Sequence, residues 1–124
     1  MRLCLLALLL IVLVGCGGKS LELAPVKGQV ALNGKGIAYA SIQLIPDEQK
    51  GTSVPSATGQ TDADGRFEIS TPPHGDGAAP GHYRVTVTTY GGTIPTHYAD
   101  PIKTPLSVEV PKEGLEDWKL ELKP

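Results

Sequence analysis

The sequence predicts an all-β domain, an antiparallel seven-stranded β-sandwich, behind a short apolar leader. Three observations predict it. Apolar and polar residues alternate with period two in short runs across 25–124, and nothing there sustains the 3.6-residue period of an amphipathic helix. The 15 glycines and 11 prolines break the chain into short elements. Strong turn signals separate the runs, Asn33-Gly34 first among them. Without helical crossovers, antiparallel pairing is the expected arrangement. About seven short strands of this kind bury their apolar faces as two packed sheets.

The leader comes first. Arg2 supplies a positive charge and Leu3 begins an apolar run that ends at Val14. This is the layout of an export signal, and it falls short of the roughly 20 apolar residues a spanning helix needs. Leu13-Val14-Gly15-Cys16 resembles a bacterial lipobox. That resemblance implies cleavage between Gly15 and Cys16, removing 1–15, and a thioether-linked lipid on the Cys16 thiol, commonly with a further acyl chain such as palmitate on the new amine. Each buried methylene contributes about 0.8 kcal/mol, and two or more chains anchor stably. Gly17 is not the Asp that marks inner-membrane retention, so the resemblance implies the outer membrane, facing the periplasm. Residues 16–24 lack periodicity and read as a flexible tether.

The strands follow in order. In 25–32, Val26, Gly28, Val30 and Leu32 share one face, with Lys27 and Gln29 on the other. Asn33 and Gly34 both accept the positive φ of a type I′ hairpin turn. The spacing predicts a second strand over 37–45, with Ala38, Ala40, Ile42 and Leu44 inward, ended by Pro46. A polar loop covers 47–56, then a weak strand 57–61. Asp62-Ala63-Asp64-Gly65 reads as a turn, followed by a strand 66–71 with Phe67 and Ile69 inward. A Gly/Pro-rich loop, 72–82, precedes the clearest strand, 83–90, where Tyr83, Val85 and Val87 alternate with Arg84, Thr86 and Thr88. After a long loop, Leu106, Val108 and Val110 form the next strand. A turn over 111–117 leads to Trp118, Leu120 and Leu122 in the last.

Composition narrows the function. The two cysteines are Cys4 and Cys16. With one cleaved off and the other lipidated, the mature domain has no thiol for a disulfide, a zinc site or a nucleophile. Arg2 is the only charged residue of the leader, so its loss takes the net charge from −2 to −3. Nucleic-acid binding, which needs a clustered basic surface, is not expected. The expected partners are the membrane, through the anchor, and an envelope protein or polysaccharide. The domain is expected to be monomeric and to need no cofactor beyond the lipid.

Three segments together resemble carboxypeptidase regulatory-like domains, the transthyretin-like (prealbumin-like) β-sandwiches. They are Val26-x-Gly28-x-Val30-x-Leu32-Asn33-Gly34-Lys35-Gly36-Ile37, Thr61-Asp62-Ala63-Asp64-Gly65-Arg66-Phe67-Glu68-Ile69 and Pro80-Gly81-His82-Tyr83-Arg84-Val85-Thr86-Val87. The resemblance spans roughly 26–122. It implies a binding, adhesion or scaffolding role without a shared catalytic residue, and fold alone does not fix function. The hydroxyisourate hydrolase branch of this fold ends in a Tyr-Arg-Gly-Ser-type tail. This chain reads Leu122-Lys123-Pro124 there, so that activity is not expected.

Candidate sites are few. Asp62 and Asp64 invite a calcium reading, but Gly65 stands at the fourth position of the loop and Arg66 puts a cation where a ligand belongs. A structural turn, with Asp62 bonding its own backbone and Gly65 at positive φ, is expected instead. His74, His82 and His97, with Asp76 or Asp100, would need to converge to serve a tethered hydrolase or metal-dependent enzyme, and none is spaced as a ligand pair. Tyr39, Tyr90, Tyr98 and Trp118 could form a carbohydrate-binding platform. The alternative is that Trp118 is core and the tyrosines cover sheet edges. No nucleophile motif is present. The expectation is a non-enzymatic, lipid-anchored binding or scaffolding module.

Overall fold

The computed structural model describes residues 21–91 and 94–124. The expected leader, Gly15, Cys16 and most of the expected tether lie outside the described residues. Among the described residues there are ten strands: β1 (Val26–Leu32), β2 (Lys35–Gly36), β3 (Ser41–Pro46), β4 (Ala57–Gln60), β5 (Arg66–Glu68), β6 (Ser70–Thr71), β7 (Gly75–Asp76), β8 (Gly81–Thr88), β9 (Ser107–Val110) and β10 (Leu115–Leu122). They form two sheets. In the first, β1 lies between β10 on one side and β5 and β2 on the other. The second runs β7-β6-β4-β3-β8-β9.

Alternation decides which side chains meet between the sheets. Val26, Val30, Phe67, Leu120 and Leu122 from the first pack against Ile42, Leu44, Ala57, Val85, Val87 and Val110 from the second. Each of these larger than Ala contributes roughly 1.5–3 kcal/mol when fully buried. Ile94 and Tyr98 belong to the same core. The Tyr98 hydroxyl accepts from Lys123 N at 2.8 Å and donates to Lys123 O at 3.2 Å, which ties the chain beyond β10 to the turn Thr96–Ala99. Tyr83 is buried, and its hydroxyl donates to Ala79 O, four residues upstream, at 2.5 Å. Ala24, the last residue of the expected tether, is itself buried and exchanges two backbone hydrogen bonds with Ala78.

The expected all-antiparallel, seven-stranded arrangement needs correction. β1 and β10 pair in parallel, Val30 opposite Leu120 and Leu32 opposite Leu122. A parallel pair needs a long crossover. Here the rest of the domain supplies it, so no helix is required. The extra strands come from short pieces. The expected strand 66–71 divides at Ile69, sending β5 to the first sheet and β6 to the second. The expected loop 72–82 contains β7 and the start of β8. The expected turn 111–117 gives way to β10 at Leu115.

Residues 37–40, expected as strand, form a turn instead. Tyr39 takes φ 55°, rare for a bulky residue. Thr61 holds the turn from the far side: its buried side chain donates to Ile37 O at 2.6 Å and accepts from Ala40 N at 2.7 Å. Asn33 and Gly34 carry φ of 53° and 79°, as a type I′ turn requires.

Candidate functional site

The outer face of the first sheet carries charged side chains in ordered rows. Because β5, β1 and β10 are neighbours, their outward residues line up in rows across the strands. Gln29 stands opposite Arg66 on one side and Lys119 on the other. Lys27 stands opposite Glu68, with Nζ and Oε1 3.5 Å apart. On its other side the register slips. Val26 faces Leu115 but Gly28 already faces Trp118, so both Glu116 and Asp117 fall opposite Lys27. This β-bulge lies in a parallel pair, where bulges are rare.

Between the two outward rows runs an inward one, Phe67–Gly28–Trp118. Phe67 and Trp118 meet edge to face across the glycine, ring centroids 5.6 Å apart. A Cβ on Gly28 would stand 2.1 Å from Trp118 O and 2.8 Å from Phe67 Cζ. The floor between the charged rows is therefore bare backbone. The result is an open groove of about 810 Å³, rimmed further by Gln60 and Asp62.

The charges of the groove are sorted. The Arg66–Gln29–Lys119 row holds two cations and no anion. Among the described residues neither cation has a carboxylate within ion-pair distance. The other row holds three carboxylates, Glu68, Glu116 and Asp117, against Lys27 alone. Asp62 adds a carboxylate at the Arg66 end of the groove: its Oδ1 accepts from Asp64 N at 2.8 Å and Arg66 N at 3.0 Å. Gln29 is held by its Nε2, which donates to Asp64 O at 3.0 Å.

The sites anticipated from sequence are dispersed. The Asp62–Gly65 turn is built from its own backbone bonds, with Gly65 at φ 83° and Gly65 O accepting from Val30 N at 2.8 Å. Asp64 is exposed, and its backbone carbonyl serves Gln29. His74 is exposed in the β6–β7 hairpin. His82, expected in a loop, lies within β8, its Nε2 3.8 Å from Glu109 Oε1 on β9. His97 stacks on Tyr98 at 4.3 Å between ring centroids. Among the described residues, no three His, Cys, Asp or Glu side chains gather as a metal site would require.

The four aromatics do not form one exposed platform. Tyr98 is buried and Trp118 half-buried against the core. Tyr39 and Tyr90 are 62% and 96% exposed, each two residues beyond the Ser41–Thr88 pair at one end of the second sheet. No described helix is long and apolar enough to cross a membrane.

The groove residues escaped the sequence reading because each, taken singly, looks like a solvated position on an outward strand face. Only the β1–β10 pairing brings Lys119, Glu116 and Asp117 beside Lys27 and Gln29. No family model matches the chain, and no curated protein matches it.

Proposed function

We propose that the protein is a lipid-anchored, non-enzymatic binding module of the cell envelope, held through Cys16 and presenting the outer face of its first sheet to an envelope partner. The anchor reading rests on the Leu13-Val14-Gly15-Cys16 motif. The binding reading rests on one observation: an open groove whose two rows carry opposite net charge, with two cations that, among the described residues, enter no ion pair. Across the strands the direct neighbours are complementary, Lys27 with Glu68 on one side and with Glu116 and Asp117 on the other, whereas Arg66 and Lys119 flank the neutral Gln29. A partner that brings an anion to those two cations gains charge-assisted contacts without breaking an existing pair. We also read the sandwich as transthyretin-like, since the β1 opening, the Asp62–Gly65 turn and the β8 strand follow one another in the order of that family.

Two measurements test the reading. Cys16→Ser should abolish incorporation of labelled palmitate and leave the leader uncleaved. A photo-crosslinking residue at Gln29 should give adducts in the envelope fraction, whereas one at Gln43, exposed on the second sheet, should not. Equal adduct yields at the two positions, or none at either, would refute the binding face.

A further inference from the structure

We infer that the groove receives a dipolar peptide end: a terminal residue bearing a free carboxylate and, on its side chain, a free ammonium. This rests on the reading of the first sheet's outer face as a binding face, and adds the chemistry of its ligand.

The argument is one of spacing and sign. The cationic row and the acidic row are two residues apart along β1, which is about 7 Å at the usual rise of a strand. In a Lys-like diamino acid, the six bonds from side-chain nitrogen to carboxyl carbon span about 7 Å. Its carboxylate fits between Arg66 and Lys119, above Gln29, and Arg is suited to bind a carboxylate through two parallel hydrogen bonds. Laid diagonally toward β10, the ligand brings its ammonium to Glu116 and Asp117, which the bulge sets opposite Lys27, while Lys27 itself keeps Glu68. Simpler ligands fit less well. A phosphate or a polyanion at the first row would lie against three carboxylates and one lysine. A lone cation at the second would leave Arg66 and Lys119 unmatched. The bare backbone at Gly28 lets an extended ligand lie across the gap between the rows.

The test uses the full chain extracted in detergent and a probe, N-acetyl-Ala-Ala-Lys with a free C-terminus, titrated by calorimetry. Two capped probes accompany it, the C-terminal amide and the Nε-acetyl form. The free probe should bind, and each cap should weaken binding about fivefold, as loss of one exposed charge pair allows. Affinity should drop between about 0.01 M and about 0.15 M salt, as the screening length shortens from about 30 Å to about 8 Å. The double variant Arg66→Gln/Lys119→Gln should erase the difference between acid and amide. Glu116→Gln/Asp117→Asn should erase the difference between lysine and acetyl-lysine. Absence of binding by the free probe, or equal binding of free and capped probes to the unmodified protein, overturns the inference. If crosslinks still form at Gln29 in that case, the binding face stands and only the ligand class falls. If neither is seen, both fall.

Discussion

Adding one methyl group to Gly65 should damage the fold far more than adding it to Gly34, although the two residues have nearly the same backbone conformation. Their φ values are 83° and 79°. Either substitution to Ala places a Cβ in the left-handed region, costing roughly 1–2 kcal/mol. At Gly34 nothing lies within 4 Å of the new atom, so that is the whole effect. At Gly65 the Cβ would stand 2.7 Å from Val30 O, 2.8 Å from Ile37 N and 2.9 Å from Gly36 Cα. All three are backbone atoms and cannot rotate away. The turn must retreat from β1, which strains or breaks the bonds Val30 N–Gly65 O and Ile37 N–Val30 O. At a net 0.5–1.5 kcal/mol each, these bring the loss at Gly65→Ala to about 2–5 kcal/mol. Asp62→Ala removes two exposed hydrogen bonds and should fall near 1–2 kcal/mol. Urea midpoints at unchanged slope give the comparison. Equal losses for Gly65→Ala and Gly34→Ala would show that the packing of the turn against β1 contributes nothing. The unmodified protein should melt at one temperature with calcium and with chelator. A calcium-dependent rise of several degrees, lost in Asp62→Ala and Asp64→Ala, would make this turn a metal site instead.

Three further outcomes are expected. Burial raises the Tyr83 hydroxyl above its ordinary 10.0. Above that pH the unfolded chain releases this proton while the fold retains it, so stability should fall as pH rises past 10. Urea midpoints between pH 8 and 11 should show the decline, and Tyr83→Phe should flatten it while lowering stability at neutral pH by about 1–3 kcal/mol, because Ala79 O loses its donor. Thr61→Val should cost about 2–3 kcal/mol by stranding Ile37 O and Ala40 N, and amide exchange at Ala40 should accelerate well beyond that at Val85. Phe67→Ala should cost about 3–5 kcal/mol and shift Trp118 fluorescence to the red as water reaches the vacated ring edge. An unshifted spectrum would mean that the edge contact is not what shields the indole.

What the sequence made legible was local. Ile42 and Leu44, or Val85 and Val87, announce their strands through alternation that the core later uses without change. Asn33-Gly34 and Asp62–Gly65 announce their turns because only particular residue types tolerate those dihedrals. The rest depends on partners far along the chain. Ala38 and Tyr39 carry no turn signature, and what bends the chain there is Thr61, 21 residues after Ala40 and 24 after Ile37. The split at Ile69 reflects which sheet each half can reach, not any break in apolar pattern. The groove is the extreme case. Its residue types are visible at once, yet their arrangement requires knowing that the first long strand lies beside the last, in parallel, and that the register between them slips at Lys27.

That parallel pairing also determines how the protein responds to force. Strand β1 enters the domain at one end and β10 leaves it at the other, with Gly28 to Leu32 registered against Trp118 to Leu122. Tension applied between the two termini pulls the strands past each other along their length. Their hydrogen bonds are then loaded together in shear, whereas an antiparallel hairpin pulled from its open end gives way one bond at a time. Resistance to such pulling is governed by the rate of unfolding and not by equilibrium stability. A domain joined in this way carries tension from its N-terminal side to its far end through the β1–β10 seam, the same seam that aligns the groove.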